Sequence, residues 1–385
     1  MRFGSPHRVL AAVRTRAVRG SPARASRLVG IDPLLLNVSD YERAAVELLD
    51  PGAYGYVAGG AGDERTLTDN VEAFARRHLR PRVLVDVSTV TTRATVMGAD
   101  VSMPVLVAPT AFQRVVHADG EVATARGAAA AGTVMCLSTL SSVSPAELAE
   151  AVPAGHRWFQ LYWSRDRGFT RDLLAQAAAT GFGALVLTVD LPAAGRRERD
   201  LRTAFALPDD LPVPNLPVPL AREDFHAALG QVVDVTLTWR DLDWLRSVCD
   251  LPLVVKGVLT AEDALLAVEH GAEGVVVSNH GGRQLDGVSA SLDALPEVAE
   301  AVADRAEVLF DGGVRRGGDV LKALALGARA VLVGRPVLWG LAVEGDRGVR
   351  KVLELLRAEI ELGLRLLGCA SPADVTRSHV APAPH

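Results

Sequence analysis

The 385-residue chain is poor in cysteine: it has three, Cys136, Cys249 and Cys369, and no two share a spacing such as C-x-x-C. Neither a disulfide framework nor a cysteine zinc site is indicated, and each thiol reads as a small apolar residue at least half-buried. Nothing points to an oxidising compartment, so a cytoplasmic protein is expected. Uninterrupted apolar runs of about eighteen residues are also missing, which argues against a membrane-spanning helix. A net charge of -5 leaves no chain-wide cationic surface for nucleic acid or an anionic membrane. Acidic residues are absent from residues 1–30, which carry seven arginines. The short "VLAAV" there is too brief for a secretory core. An Arg-rich transit peptide is one reading; the Ala, Arg, Val and Gly usage of the whole chain favours a disordered leader (residues 1–36) or an early assigned start. The leader is therefore set apart from a single domain over residues 37–385.

What the chain does have is hydrophobic residues, 49% of the total, enough for a large core. From residue 105 onward short Val/Leu/Ala runs recur, most followed by helical periodicity, the pattern of βα units and a parallel sheet. The runs cover 105–110, 133–139, 157–163, 184–190, 252–257, 274–281, 308–313 and 330–336. Ser144 with Pro145 and Glu147, and Thr260 with Asp263, read as helix starts. Gly181, Gly271 and Gly327 read as helix stops. Eight such units predict an α/β fold, a (β/α)8 TIM barrel, with residues 38–104 as an N-terminal cap of helix and short strands. One connection is too long: roughly fifty residues separate Asp190 from the helix expected around 240–248, and "LPDDLPVPNLPVPL" (207–220) within it cannot be regular structure. A lid, a membrane-docking element and a surface insertion without a role are all open readings of that segment.

In such a barrel the chemistry collects at the C-terminal ends of the strands. There the chain sets Pro109, Thr110 and Ala111, then Ser138 and Thr139, Gln160 and Tyr162, Thr188 and Asp190, and Lys256. The sixth run, "GVVVSNHGGRQLD", passes from core valines to Ser278, Asn279, His280 and Arg283, and the last two end in "DGGVRRG" (311–317) and "GRP" (334–336). Singly, "DGG" or "GRP" is a tight turn. At the ends of consecutive late strands they favour a phosphate-bearing ligand held by backbone N–H groups and a helix N-terminus. A lone buried histidine is more often a satisfied core residue than a base. His280, Asp190 and Arg283 would, however, share one barrel face, where Asp190 would raise the basicity of His280. Arg283 and Arg197 suit a carboxylate, Tyr56 and Tyr162 could add hydroxyl donors, and Lys256 must pair with an anion or shift its pKa.

These motifs resemble a known family. "SNHGGRQLD", "VVKGV", "LTVDLP" with "GRRERD", "APTA", "FQLY", "DGGVRRGGDVLKALALGARAV" and "VGRP" are similar to the FMN-dependent L-2-hydroxy acid oxidising enzymes, among them glycolate oxidase, lactate oxidase, mandelate dehydrogenase and hydroxymandelate oxidase. The similarity runs from about Asn37 to about His379. It implies that His280 is the base, oriented by Asp190, and that Arg283 and Tyr56 hold the substrate carboxylate. Tyr162 would contact the 2-hydroxyl, and Arg197 would be a second, more mobile arginine. For FMN it implies Pro109, Thr110 and Ala111 (Ala111 nearing N5 through its backbone), with Lys256 beside N1 and O2. Gln160, Thr188, Ser138 and Ser278 would lie along the isoalloxazine and ribityl edges, and Asp311, Gly312, Gly313, Arg315, Gly334 and Arg335 would hold ribityl and phosphate.

Where the glycolate-oxidising branch has "SSW", this chain has Ser138, Thr139 and Leu140, which opens room for a substrate larger than glycolate, with Phe112 lining the same space. "AGGAG" is similar to the hydroxymandelate-oxidising branch, whereas Tyr56 stands where that branch has Phe. With no haem or second cofactor domain in view, dioxygen is the expected electron acceptor, giving hydrogen peroxide; a quinone or another protein is the alternative, and a homotetramer or larger is the implied assembly. Two other classes stay open on the residues alone: an isomerase or lyase acting on a phosphorylated metabolite, and a flavin- or ligand-binding protein without catalysis.

Overall fold

The computed structural model describes residues 35–217, 230 and 233–383. The basic leader lies outside the described residues as far as residue 34, as do residues 218–220 of the proline-rich stretch. Eight parallel strands close a barrel: β1 (Val105–Val107), β2 (Val134–Ser138), β3 (His156–Leu161), β4 (Leu185–Thr188), β5 (Leu253–Val258), β6 (Gly274–Val277), β7 (Glu307–Asp311) and β8 (Ala330–Val333). Each pairs with the next in sequence, and β8 returns to β1 through Val331, Leu332 and Val333 opposite Val105, Leu106 and Val107. The expected (β/α)8 barrel is therefore the observed fold.

Side chains alternate across a strand, so one residue from each strand fills the centre. Leu106, Cys136, Trp158, Val186, Val254, Val276, Leu309 and Leu332 form one buried cluster, joined by Val96 and Val101 of the hairpin Ala94–Val96/Ala99–Val101. The hairpin plugs the N-terminal end: Met97 N donates to Glu307 Oε2 on the first residue of β7. Two residues further along each strand the same inward face becomes polar in most strands, at Ser138, Gln160, Thr188, Lys256, Ser278 and Asp311. A period of two thus places a hydrophobic plug below and a polar floor above.

The expected strands overran their ends. Residues 109–111 and 278–281, expected at the tips of strands, lie beyond the last ladder pairs and turn across the barrel end instead. The helix signals correspond to local geometry. Ser144 caps Pro145–Ala151 with Glu147 in a reciprocal capping box, and Thr260 accepts from Asp263 N. Gly181, Gly271 and Gly327 all follow helices with positive φ. Residues 38–104 form the expected cap, with helices Val38–Leu48, Pro51–Ala58 and Arg65–Glu72.

The long connection after β4 contains the helix Glu198–Arg202, and Asp241–Val248 follows it. Its described proline-rich part has no helix or strand but packs down: Leu207, Leu211, Asn215 and Leu216 are buried. Asn215 Nδ2 donates to Ser141 Oγ and Val143 O on the loop after β2. Those residues are part of the packed body. Among the described residues no helix is long and apolar enough to cross a membrane.

Candidate active site

The C-terminal end of the barrel opens into a cavity of about 1070 Å³, its open solvent included. Most of the residues singled out from sequence line it. Pro109, Thr110 and Ala111 follow β1, Ser138 ends β2 and Leu140 follows it, and Tyr162 follows β3. Arg197 comes from the long connection, Lys256 from β5, and His280 and Arg283 from the turn after β6. Asp311, Gly312, Gly313, Arg315, Gly334 and Arg335 come from the last two strand ends, and Tyr56 from the helix Pro51–Ala58.

Five of the expected residues do not line the cavity: Phe112 is buried against Tyr56, their ring centroids 6.4 Å apart, instead of lining the space over the flavin site, and four others stand behind residues that do line it. Asp190 Oδ1 is 2.8 Å from His280 Nδ1. Gln160 Oε1 accepts from Ser138 Oγ at 3.0 Å. Ser278 Oγ accepts from Lys256 Nζ at 2.9 Å and from His280 N at 3.0 Å. Thr188, opposite Lys256 in the β4–β5 register, borders a neighbouring cavity between the loops after β4 and β5.

Burial lowers the His280 pKa from its ordinary value, more than Asp190 raises it. Burial also opposes the Asp190 charge, but the imidazole, its hydrogen bond and Lys256 outweigh this and hold the carboxyl below its ordinary value. With Asp190 ionised, Nδ1 carries the proton and Nε2 keeps a free lone pair, the arrangement of a general base. Lys256 is almost fully buried yet stays charged, because Asp311 at 3.1 Å and Asp190 offset its desolvation. The Tyr56 hydroxyl is pushed up by burial, as is that of Tyr162, with the Asp190 charge adding at Tyr162; both remain neutral donors.

Arginines crowd the cavity, and among the described residues Arg283, Arg315 and Arg335 form no salt bridge, their donors going to backbone carbonyls. Arg283 donates to Tyr56 O at 2.6 Å and Gly59 O at 3.0 Å, and its guanidinium lies over the Tyr56 ring, 5.0 Å from the centroid. Arg335 donates to the carbonyls of Val57, Gly281 and Gly59, and Arg315 to that of Val314. Burial, then the charges of Arg283, Arg315 and Arg197, take Arg335 well below the ordinary guanidinium range. Burial and Arg283 bring Arg197 down to about 10. Cations that weaken one another in a buried space are poised for anions. Around them Gly312 and Gly313 have positive φ, and a Cβ on Gly313 would sit 1.9 Å from Asn70 O. Gly334 caps the first of two helical segments in Arg335–Leu367, which are separated by a kink at Glu344 and Gly345, and the N-terminal residues of that first segment, Arg335 and Pro336, border the same space. The polar floor also has spare valence: Gln160 Nε2, Thr188 Oγ1, Asp311 Oδ1 and Asp190 Oδ2 are buried without a hydrogen-bond partner.

Several contributors had escaped the sequence reading. Leu191 and Leu338 line the cavity, and Phe205 stacks on Tyr56 with ring centroids 4.7 Å apart. Leu191 directly follows Asp190 and was within reach of a reader of strand ends. Phe205 had no such signal, since it lies in a connection with no periodicity.

A family profile described as FMN-dependent dehydrogenase matches residues 45–382. An L-lactate oxidase of Nostoc sp. is 50% identical over 354 residues, 89% of this chain and 97% of that protein. Glycolate oxidase 1 of Oryza sativa subsp. indica is 50% identical over 353 residues, 90% of this chain and 95% of its own. The crystal structure of a mandelate oxidase superposes with a TM-score of 0.85 at 44% identity, covering 90% of this chain and 98% of the other. The chain belongs to the FMN-dependent dehydrogenase family, whose cofactor is FMN.

Proposed function

We propose that the protein oxidises an L-2-hydroxy acid to the 2-oxo acid and passes the electrons to dioxygen, giving hydrogen peroxide. The observation that carries this reading is a buried His–Asp pair whose histidine shares one cavity with four mutually repelling arginines and two neutral tyrosines. The residues present fit FMN. Arg315, Arg335, the Gly312–Gly313 turn and the helix N-terminus after Gly334 suit its phosphate. Gln160 Nε2, Thr188 Oγ1 and Asp311 Oδ1 offer unspent hydrogen-bonding capacity to its polar edges, beside the Lys256 charge. When bound, FMN supplies the two-electron acceptor that no side chain here provides.

In this reading Arg283 and Arg197 neutralise the substrate carboxylate, and the Tyr56 hydroxyl donates to it. Tyr162 orients the 2-hydroxyl. His280 Nε2 takes the proton the substrate releases, and Asp190 stabilises the imidazolium that results. Leu140 and Leu191 supply an apolar wall for the side chain on C2. The relatives reported above are named for lactate, glycolate and mandelate, and Leu140 favours a side chain larger than hydrogen. A quinone- or protein-linked dehydrogenase of the same chemistry is the competing reading for the acceptor. Family membership speaks against the isomerase or lyase on a phosphorylated metabolite and against a binding protein without catalysis. A single domain over residues 37–385, a cytoplasmic location and a tetramer or larger assembly belong to the same proposal, the last tested by sedimentation.

The purified protein is expected to be yellow, and its flavin band to bleach anaerobically with L-lactate, L-2-hydroxybutyrate or L-mandelate and to return in air with one peroxide per turnover. Failure of every 2-hydroxy acid to bleach the band overturns the reading. Reoxidation by a quinone but not by air assigns the dehydrogenase alternative.

A further inference from the structure

The turn that carries the base has an unusual backbone. His280 (φ 59°), Gly281 (64°) and Gly282 (74°) are three consecutive left-handed residues. Glycine adopts this freely. A histidine holds it only where the surroundings over-determine it.

The surroundings that do so centre on two buried amides. Asn279 Oδ1 accepts from Gly282 N at 3.1 Å and from Asn70 Nδ2 at 2.8 Å. Asn279 Nδ2 donates to Asn70 Oδ1 at 2.8 Å and to Ser289 O at 3.1 Å. The Asn279 side chain thus has both acceptor positions and both donors engaged. Asn70, 1% exposed, also accepts from Ser291 N at 3.2 Å. It belongs to the helix Arg65–Glu72, 209 residues away in sequence.

The same helix presses on both sides of the site. A Cβ on Gly282 would lie 2.6 Å from Leu67 N, and one on Gly313 would lie 1.9 Å from Asn70 O. One residue, Asn70, therefore meets the turn after β6 with its side chain and the glycine loop after β7 with its carbonyl.

We propose that the Asn70–Asn279 amide pair is a positioning device that sets the His280–Arg283 turn and locks it to the Gly312–Gly313 loop, so that base, carboxylate clamp and phosphate cradle move as one body. The roles of His280 and Arg283 rest on the function proposed above; the mechanical role of the pair does not. Both residues act through others and touch no reacting atom. A pair that only stabilised the fold would be interchangeable with any other buried contact of similar worth.

The test uses full-length, FMN-loaded protein carrying Asn70→Ala, Asn279→Ala, both together, and the milder Asn70→Ser, with Leu364→Ala as a core truncation far from the turn. Hydrogen exchange is followed over residues 278–287 and 312–316, oxalate affinity is read from its perturbation of the flavin band, and kcat and KM are measured with L-lactate. Each asparagine variant is expected to exchange faster in those two segments and to lose roughly ten- to a hundredfold in oxalate affinity and in kcat, as misplacement of reacting groups does. The double variant is expected to be no worse than the poorer single, since both remove one shared interaction. Leu364→Ala is expected to lower the melting temperature without these effects. The proposal is overturned if the asparagine variants lose only melting temperature, with oxalate affinity within about twofold of the parent, or if the two losses simply add. If Asn70→Ala does not fold, Asn70→Ser and Asn279→Ala decide by the same readouts. If the parent protein accepts electrons from no 2-hydroxy acid, the functional reading falls, while hydrogen exchange still judges the amide pair.

Discussion

Asp190→Asn isolates what the carboxylate behind His280 contributes. Asn is isosteric, and the Asp190 carbonyl that accepts from Gln284 Nε2 at 2.7 Å is unaffected, so the loop is expected to hold. What disappears is a charge 2.8 Å from His280 Nδ1, between side chains only 19% and 13% exposed, where solvent screens little. A charge-assisted hydrogen bond of this kind is worth about 1.5–3 kcal/mol. It strengthens as the imidazole takes up a proton, so the loss falls on kcat, by about ten- to a hundredfold. The pH dependence has a definite sign. Activity needs an unprotonated Nε2 and therefore rises as pH climbs through the His280 pKa, which burial already holds below the ordinary 6.5 while Asp190 pulls it upward. Removing Asp190 lowers that pKa further, so the acid limb of kcat/KM is expected at lower pH and to rise to a depressed plateau. Stopped-flow anaerobic flavin bleaching across pH 4–9 measures both, and FMN content serves as the control, because Asp190 does not line the cavity. An unchanged plateau, or an acid limb displaced to higher pH, would refute the reasoning.

Four further outcomes follow from single contacts. Arg283→Lys cannot serve the Tyr56 and Gly59 carbonyls and a carboxylate together, so KM is expected to rise about tenfold or more in steady-state assays. A KM unchanged from the parent would remove Arg283 from the clamp. Lys256→Met leaves the Asp311 carboxylate buried without its cation, and denaturant unfolding is expected to register about 3–5 kcal/mol of destabilisation. Gly313→Ala forces a Cβ to within 1.9 Å of Asn70 O at a φ of 78°, and flavin fluorescence titration of the apoprotein is expected to show weakened FMN binding. Leu140→Trp refills the wall over the substrate; the ratio of kcat/KM for mandelate to that for glycolate is expected to fall by about tenfold or more, since each methylene of misfit is worth about 1–3 kcal/mol. A constant ratio would acquit Leu140 of setting substrate size.

The parts of this molecule that could be read from sequence are those produced by a period. Most barrel strands place a central residue and, two positions later, a member of the polar floor, so Val254 implies Lys256 and Leu309 implies Asp311 without knowledge of the partner strand. Helix boundaries were legible at Ser144, Gly181 and Gly271 because caps and left-handed stops are local chemistry. Strand tips were overrun because Pro109–Ala111 and Ser278–Gly281 carry the polar groups of the site and follow the apolar run without a break in sequence. Only the loss of ladder partners ends the strand there. Asn70 was invisible for a different reason: one asparagine on a short helix reads as a solvent-facing residue, and its pairing with Asn279 spans 209 positions.

The division has a consequence for function. The floor and the anion cradle, which suit a cofactor common to the whole family, are built from strand ends and glycine turns, and they announce themselves. The face toward the substrate is built from Leu140 on a loop, Leu191 and Arg197 in the connection after β4, and Phe205 stacked on Tyr56 from the same connection. That connection obeys no repeat. Nothing in its local pattern says that Leu207, Leu211 and Leu216 turn inward, or that Asn215 reaches the loop carrying Leu140 through Ser141 Oγ. Substitutions there can reshape the pocket while leaving the barrel ladders in place, since the described part of the connection supplies no barrel strand. Specificity among 2-hydroxy acids is therefore expected to track the connection after β4 and Leu140, whereas FMN affinity tracks the strand ends. Exchanging residues 204–217 with those of a relative would separate the two: a changed substrate order with FMN affinity intact supports the division, and loss of FMN with an unchanged order contradicts it.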